Sequence, residues 1–137
     1  HLRKMFLDLA GEDASAFEQY QAASKKQRGA ERDAAIQDAL AVAVNVPRVA
    51  AKSALALLGE LRDLVDRCNP RLLSDLLASA ALAAAAVRLC DYNVRANTGE
   101  VADREAAEEV RSSSAADVTR AETLLTEIET RAKSLLP

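Results

Sequence analysis

One stretch of the chain, the 12 residues from Leu76 to Val87, contains no charged residue and no turn former. It lies within a longer segment, Asn69 to Asn97, in which Ala, Leu and Ser occupy every side of a helical wheel. A helix that is apolar on all sides is usually buried. The uncharged run is shorter than the ~18 residues that indicate a transmembrane helix. The sequence therefore predicts a central Ala-rich helix that other protein helices bury on every side.

Polar side chains occur at both ends of this predicted helix. Asn69 stands where it can cap the first turn, and Ser74 and Asp75 follow on that turn. Asn93 and Asn97 lie four residues apart near the other end. Amides and carboxylates in a buried helix need hydrogen-bond partners. These residues therefore either cap the helix and bond to neighbouring helices, or bind a ligand.

The rest of the chain also has helical periodicity. Residues 2 to about 27, Glu31 to Arg67 and the residues after Glu100 each place apolar side chains three or four apart. Pro47 lies inside the second segment and costs about 3 kcal/mol in a helix interior, so we expect that segment to be kinked or split near Val46 into two helices. The turn before Asn69 is short, which favours antiparallel neighbours.

The last segment has a repeat of seven residues. This spacing predicts a narrow seam that packs against one neighbouring helix. The residues of the seam are Ala107, Ser114, Ala121, Ile128 and Leu135, joined by Val110, Val118, Leu125 and Ala132.

Length and composition agree with one helical domain. The chain has 137 residues, which is enough to bury a core without metal or disulfide links. Half of the residues are hydrophobic but only 3% are aromatic, and there are four Gly and three Pro, which is typical of close helix–helix packing. We therefore expect a single all-α domain over residues 1–137, folded as an antiparallel helical bundle.

Charge and cysteine content limit the partners. The net charge is −3 with both signs interspersed, so no basic patch or aromatic platform points to nucleic acid. Cys68 and Cys90 do not form a CxxC motif, and a single His leaves no zinc or iron–sulfur set, so we expect free thiols and no metal. The N-terminus lacks the apolar run of a signal peptide. We expect a cytoplasmic protein without a membrane partner.

Asp13 interrupts the apolar stripe of the first segment. At 100° per residue it lies near the middle of that stripe, between Leu9 and Phe17, so its carboxylate is expected to point inward. One interpretation is a structural Asp that pairs with a core hydroxyl or a helix terminus. The other is a buried general acid/base, because burial raises a carboxyl pKa toward the working pH.

Four stretches together resemble the formiminotransferase-cyclodeaminase C-terminal domain family. They occur in consistent order and combine a DxxAF motif with N-x4-S-D and N-x3-N spacings, which an Ala-rich helix alone would not reproduce. The stretches are DASAF at 13–17, AIQDALAVAVNVP at 35–47, NPRLLSD at 69–75 and YNVRAN at 92–97.

The resemblance implies an all-helical cytosolic dimer that binds a folate near the subunit interface. The family's catalytic acid/base is the Asp of the DxxAF motif, here Asp13. The resemblance further implies a tetrahydrofolate derivative as substrate, no separate cofactor, and a set of residues that hydrogen-bond the pterin and the one-carbon unit. In this chain that substrate-binding set is Asn69, Ser74, Asp75, Asn93 and Asn97.

Three features depart from the family pattern. The family's additional N-terminal helical region with its P-G-G-G-S stretch is not within these residues, so relative to the family we read the domain as N-terminally truncated. The segment from Ser24 to Arg32 is shorter than the family's turn and lacks its Leu-Pro-Lys sequence. Cys68 stands where the family usually has Gly before Asn69.

Three functions remain open from the sequence. The first is a formiminotetrahydrofolate cyclodeaminase that forms 5,10-methenyltetrahydrofolate and ammonia. The second is a methenyltetrahydrofolate cyclohydrolase, which opens the same ring with water and can use the same Asp. The third is a non-catalytic helical dimerisation or binding module derived from this family. In each case we expect a homodimer, because the chain has more apolar surface than it can cover alone.

Overall fold

The protein is all-helical in its computed structural model, which describes residues 2–135. The described chain contains four long α-helices: α1 (Leu2–Ser24), α2 (Ala30–Leu64), α3 (Leu73–Asn97) and α4 (Arg104–Lys133). One-turn 3-10 helices, Pro70–Leu72 and Thr98–Glu100, precede and follow α3. No strand occurs in the described residues, so the predicted all-α class is confirmed.

The helices form an up-down-up-down bundle. Successive helices are antiparallel: Arg32 bonds to Ser24 at one end of the α1–α2 pair, and Ser53 bonds to Met5 much farther along it. Three hydrogen-bonded pairs along α2 and α4, two of which include a residue just outside a helix end, keep a constant separation of 65 residues, as required for two helices that run in the same direction. These pairs are Gln37 with Ala102, Lys52 with Asp117, and Asp66 with Arg131.

The helix that contacts all the others is α2. It packs against α1, α3 and α4, whereas α3 packs against α2 and α4 only. The fully buried core between them is built from aliphatic side chains, and Phe6 packs against it while partly buried. Its fully buried large side chains are Leu58, Val65, Leu73, Val87, Val94 and Ile128.

The expectation that α3 is buried on every side is wrong for the single chain. One face, with Leu73, Ala80 and Val87, is buried against α2 and α4. On the opposite face Leu82 is 72% exposed and Leu89 is 59% exposed. Two neighbouring helices can cover only part of a helix circumference, so the other apolar face is left uncovered.

The expectation that Pro47 splits the second segment is also wrong. α2 continues unbroken from Ala30 to Leu64 and includes Pro47. Proline removes the N–H that would bond to the carbonyl four residues earlier, which is that of Ala43. The side chain of Asn97 donates a hydrogen bond from Nδ2 to this carbonyl at 2.8 Å. A side chain from α3 thus replaces the bond that Pro47 cannot make.

The seven-residue seam of α4 is buried as predicted at Ala107, Ser114, Ala121 and Ile128. The expectation of one neighbour is wrong, because α4 packs against both α2 and α3. Leu135, the last residue of the predicted seam, is 42% exposed and lies beyond the end of α4.

A buried carboxylate lies on the inward face of α3. Asp91 accepts a hydrogen bond from Arg95 Nε at 2.6 Å through Oδ2, while Oδ1 is buried without a partner in the described chain. This bond raises the pKa of Arg95, because the carboxylate stabilises the charged guanidinium.

Two helical segments, α2 and Pro70–Glu100, are long and apolar enough to cross a membrane by length and composition alone. Core helices of soluble proteins meet the same criterion. In α2 the apolar residues pack against three other helices of the chain.

Candidate functional site

A cavity of about 290 Å³ lies between α1, α2 and the C-terminal end of α3. Three chain segments bring polar side chains to it: the middle of α1, the last turns of α3, and the 3-10 helix that follows. Its lining residues are Asp13, Ala16, Phe17, Tyr20, Leu40, Ala43, Asn93, Ala96, Asn97 and Glu100.

Asp13 lines this cavity from α1, but its side chain is exposed rather than buried. The expectation that it points into the core is therefore wrong for the single chain. The reason is that α1 packs against α2 alone among the long helices. Leu9 and Ala16 fill that contact, while Phe17 is 61% exposed, so the apolar stripe of α1 is wider than the surface that covers it.

Asn93 and Asn97 line the cavity from α3 with their amide orientation set by backbone carbonyls. Asn93 donates from Nδ2 to the carbonyl of Leu89 at 3.1 Å, and Asn97 donates from Nδ2 to the carbonyl of Ala43 at 2.8 Å. A carbonyl only accepts, so the nitrogen must face it and the amide oxygen is free for another partner. Both asparagines can therefore offer an acceptor to a ligand.

Tyr20 and Glu100 form a hydrogen-bonded pair in the lining of the cavity. The Tyr20 hydroxyl donates to Glu100 Oε2 at 2.6 Å, and this hydrogen bond is the main cause that raises the pKa of Tyr20. Gln37 holds the backbone at this point, since its Nε2 donates to the Glu100 carbonyl at 3.1 Å and its Oε1 accepts from Ala102 N at 2.8 Å. The sequence reasoning missed this pair. The sequence offered one indication of it: Tyr20 lies three residues after Phe17 on the apolar stripe of α1 that carries the DxxAF motif.

Three of the predicted site residues lie at the other end of α3. Asn69 accepts a hydrogen bond from Arg71 N at 3.0 Å and so caps the 3-10 helix, while the side chains of Ser74 and Asp75 are exposed. At 1.5 Å per residue, Asp75 is about 27 Å along the helix from Asn93. The structure thus brings together Asp13, Asn93 and Asn97, and keeps Asn69, Ser74 and Asp75 apart from them within one chain.

A larger cavity, about 600 Å³, lies between α2 and α4. Arg48 and Asn45 line it, but none of the site residues predicted from the sequence does. The smaller cavity is the better candidate because Asp13 and Phe17 in its lining come from the DxxAF motif and Asn93 and Asn97 from the N-x3-N motif.

The sequence model of the formiminotransferase-cyclodeaminase family matches residues 1–116. The chain belongs to this family. The matched range includes every residue that lines the smaller cavity. The suspected family resemblance is therefore confirmed.

A solved structure supports the same assignment. The chain is similar to the crystal structure of formiminotetrahydrofolate cyclodeaminase from Thermotoga maritima, with 29% sequence identity and a TM-score of 0.71. The similarity covers 94% of this family member and 61% of the Thermotoga chain. A comparison with curated protein sequences gave no match.

Proposed function

We propose that the protein is a folate one-carbon enzyme, and specifically a formiminotetrahydrofolate cyclodeaminase that forms 5,10-methenyltetrahydrofolate and ammonia. The main support is that Asp13 on α1 and Asn93 and Asn97 on α3 line one cavity although 80 residues separate the first two. Three of the six residues that the family resemblance names for chemistry and binding are thus close enough to act on one ligand.

The reaction needs a group that moves one proton. N10 of the folate attacks the formimino carbon, and the bond between that carbon and the departing nitrogen breaks. The formimino group reacts in its protonated amidinium form, so the departing nitrogen already carries two hydrogens, and the proton that leaves N10 is the third that it needs to depart as ammonia. Asp13 is the carboxylate assigned to this step, as general base toward N10 and then general acid toward the leaving group. The free amide oxygens of Asn93 and Asn97 accept hydrogen bonds from N–H groups of the substrate.

We also propose a homodimer formed through the uncovered face of α3. Asp75, Leu82, Leu89 and Asn93 share this face, because successive residues of this set are seven or four apart. Asp75 and Asn93 are each nine residues from Ala84. If a second copy of α3 packs antiparallel to the first, with the two helices crossing at residue 84, Asp75 of the second copy lies opposite Asn93 of the first. Ser74 and Asp75 then reach the cavity of the other copy, which no single chain achieves.

The remaining partners follow from this proposal. The substrate is a tetrahydrofolate derivative, and the chemistry above needs neither a metal nor a further cofactor, since one carboxylate moves the proton. The net charge of −3 gives no support for nucleic acid as a partner. We place the enzyme in the cytoplasm, without a membrane partner, because the apolar residues of α2 pack against other helices of the chain.

The test is the Asp13→Asn variant in the full-length protein. We expect turnover of 5-formiminotetrahydrofolate, followed by methenyl absorbance, to fall by about 10²- to 10⁴-fold, the usual contribution of a positioned proton-transfer group. Folate affinity and the melting temperature should stay near those of the wild type, because Asp13 is exposed and makes no hydrogen bond to the described chain. The matched control is Glu12→Gln, an exposed neighbour outside the cavity, which should keep full activity.

Other outcomes identify the alternatives. Loss of methenyl absorbance from methenyltetrahydrofolate, with no reaction of the formimino substrate, would assign the cyclohydrolase activity to the same cavity. Folate binding or dimer formation without turnover of either substrate would leave the non-catalytic module. Unchanged turnover in Asp13→Asn would remove Asp13 from the mechanism.

A further inference from the structure

We propose that Glu100 is a specificity residue of the same cavity, that it binds the pair of N–H donors at the edge of the pterin ring, and that Tyr20 positions it. This inference rests on the proposed folate substrate but not on the type of reaction.

Acceptors predominate among the polar groups of the cavity. Asn93 and Asn97 each use one amide N–H on a backbone carbonyl, which leaves each an amide oxygen and one further N–H. Asp13 and Glu100 add carboxylate oxygens, and the Tyr20 hydroxyl proton is donated to Glu100. No Lys, Arg or His lines the cavity among the described residues. Such a cavity selects a ligand end that is rich in N–H donors or positively charged, and disfavours a carboxylate.

A pterin has such an end. Its ring N3–H and 2-amino group are adjacent and point in the same direction, like the paired donors of a guanidinium group. Paired N–H donors fit the two oxygens of one carboxylate, and charge-assisted bonds of this type are stronger than neutral ones. The glutamate tail of a folate is anionic, so it must lie outside this cavity.

Glu100 is the carboxylate that is held in a fixed orientation. Oε2 accepts from Tyr20 at 2.6 Å, and the main-chain carbonyl of Glu100 accepts from Gln37 at 3.1 Å. A carboxylate oxygen has two lone pairs, so Oε2 can accept a second bond while Oε1 accepts the other donor. Tyr20 therefore need not be displaced when the ring binds, and its bond restricts the rotation of the Glu100 side chain.

The distance from Glu100 to Asp13 suits a ring that contacts both. Tyr20 contacts Glu100 and lies seven residues after Asp13 on α1, which corresponds to about 10 Å along the helix axis. This separation is comparable with a bicyclic ring that has a hydrogen bond at each end. The donor edge of a pterin lies on the opposite side of the bicycle from N5, where the one-carbon unit is attached. Binding of that edge by Glu100 therefore directs N5 toward Asp13.

Phe17 provides a surface between the two carboxylates. It follows Asp13 by four residues, precedes Tyr20 by three, and is 61% exposed at the cavity. The whole chain has only two Phe and two Tyr, and one of each lines this cavity. An exposed aromatic ring at this position can stack on a flat heterocycle.

The experiment measures binding to the full-length protein with two probes. Tetrahydrofolate carries the pterin, and p-aminobenzoylglutamate carries only the rest of the molecule. We expect Glu100→Gln to weaken tetrahydrofolate binding by about 10- to 100-fold, because one donor of the pair loses its charged acceptor. Binding of p-aminobenzoylglutamate should not change. In turnover assays KM should rise with kcat nearly constant.

Two further variants complete the test. Tyr20→Phe should weaken tetrahydrofolate binding by less, about 3- to 10-fold, because Glu100 remains but is no longer oriented. Glu105→Gln changes an exposed carboxylate outside the cavity and should bind as the wild type does. Melting temperatures of all variants show whether a loss of binding reflects a loss of fold, and Glu100→Asp should recover part of the affinity.

The outcomes separate this inference from the proposed activity. Unchanged tetrahydrofolate affinity in Glu100→Gln, or an equal loss for both probes, overturns the inference even if the wild type turns over the formimino substrate. Selective loss of the pterin probe supports it even if the wild type has no cyclodeaminase activity. No tetrahydrofolate binding by the wild type overturns both.

Discussion

The two faces of α3 have similar sequences but different surroundings. The inward face contains Leu73, Ala80 and Val87, which are almost fully buried. The outward face contains Leu82, Leu89 and Tyr92, which are 58% to 72% exposed. Both faces are apolar, so side-chain chemistry alone does not distinguish them. The apolar residues of the inward face are therefore needed to form the core. Those of the outward face contact no other helix of the same chain in this way and do not contribute to its core.

The largest expected effect comes from changing one leucine on each face. Leu73→Ala should reduce the free energy of unfolding by about 2–5 kcal/mol, because it removes a buried side chain and leaves a cavity. Leu82→Ala should change it by no more than about 0.5 kcal/mol in the monomer, as exposed substitutions usually do. Urea denaturation at a concentration where the protein is monomeric measures both. Equal losses would mean that the two faces are equally buried in solution.

The second prediction concerns the C-terminal end of α3, where the side chain of Asn97 bonds to the backbone of α2. Asn97→Leu should cost about 1–3 kcal/mol, because the Ala43 carbonyl then lacks both the Pro47 N–H and the Asn97 amide. In a Pro47→Ala background the backbone can bond to this carbonyl, so the same substitution should cost clearly less. A double-mutant cycle by urea denaturation gives the coupling energy. Additive effects would show that Asn97 does not compensate for Pro47.

The outward face is tested by introducing a charge. Leu89→Glu should weaken self-association by at least about tenfold, which corresponds to about 1.4 kcal/mol, because a carboxylate would have to be buried in the dimer contact. Stability of the monomer should be unaffected, since Leu89 is exposed there. Sedimentation velocity over a range of concentrations measures the change. A wild type that stays monomeric at all concentrations would contradict the proposed dimer.

The smallest expected effect concerns Cys90, which is partly buried at the edge of the inward face. Burial raises the pKa of the Cys90 thiol, because the thiolate is poorly solvated there. At a pH near the ordinary thiol value of about 8.5, the thiol should therefore react with a disulfide reagent more slowly in the folded than in the unfolded protein.

The same shift has a consequence for stability. A thiol pKa that is higher in the folded state contributes stability that is present below the unfolded pKa and is lost as the pH rises through the folded pKa. The Cys68→Ser variant leaves Cys90 as the only thiol to be followed. Equal labelling rates in the folded and unfolded protein would show that Cys90 is not protected.

The sequence alone determined the all-helical class, the position of the helical segments and the family, but not that the second segment is a single helix. These depend on local spacing: apolar residues three and four apart define α1, α2 and α4, and the DxxAF, N-x4-S-D and N-x3-N spacings identify the family. The heptad seam of α4 was found in the same way at Ala107, Ser114, Ala121 and Ile128.

Only the tertiary structure decided which faces are buried and which polar residues meet. Burial depends on how many helices pack around a given one, so the central position of α2 and the exposure of Leu82 and Asp13 could not be read from periodicity. The Ala43 carbonyl, which Pro47 leaves without an N–H partner, accepts its hydrogen bond from Asn97, 50 residues after the proline. The pairing of Tyr20 with Glu100 spans 80 residues and has no local signal. Such contacts arise from helix packing, because it places residues side by side that no sequence spacing relates.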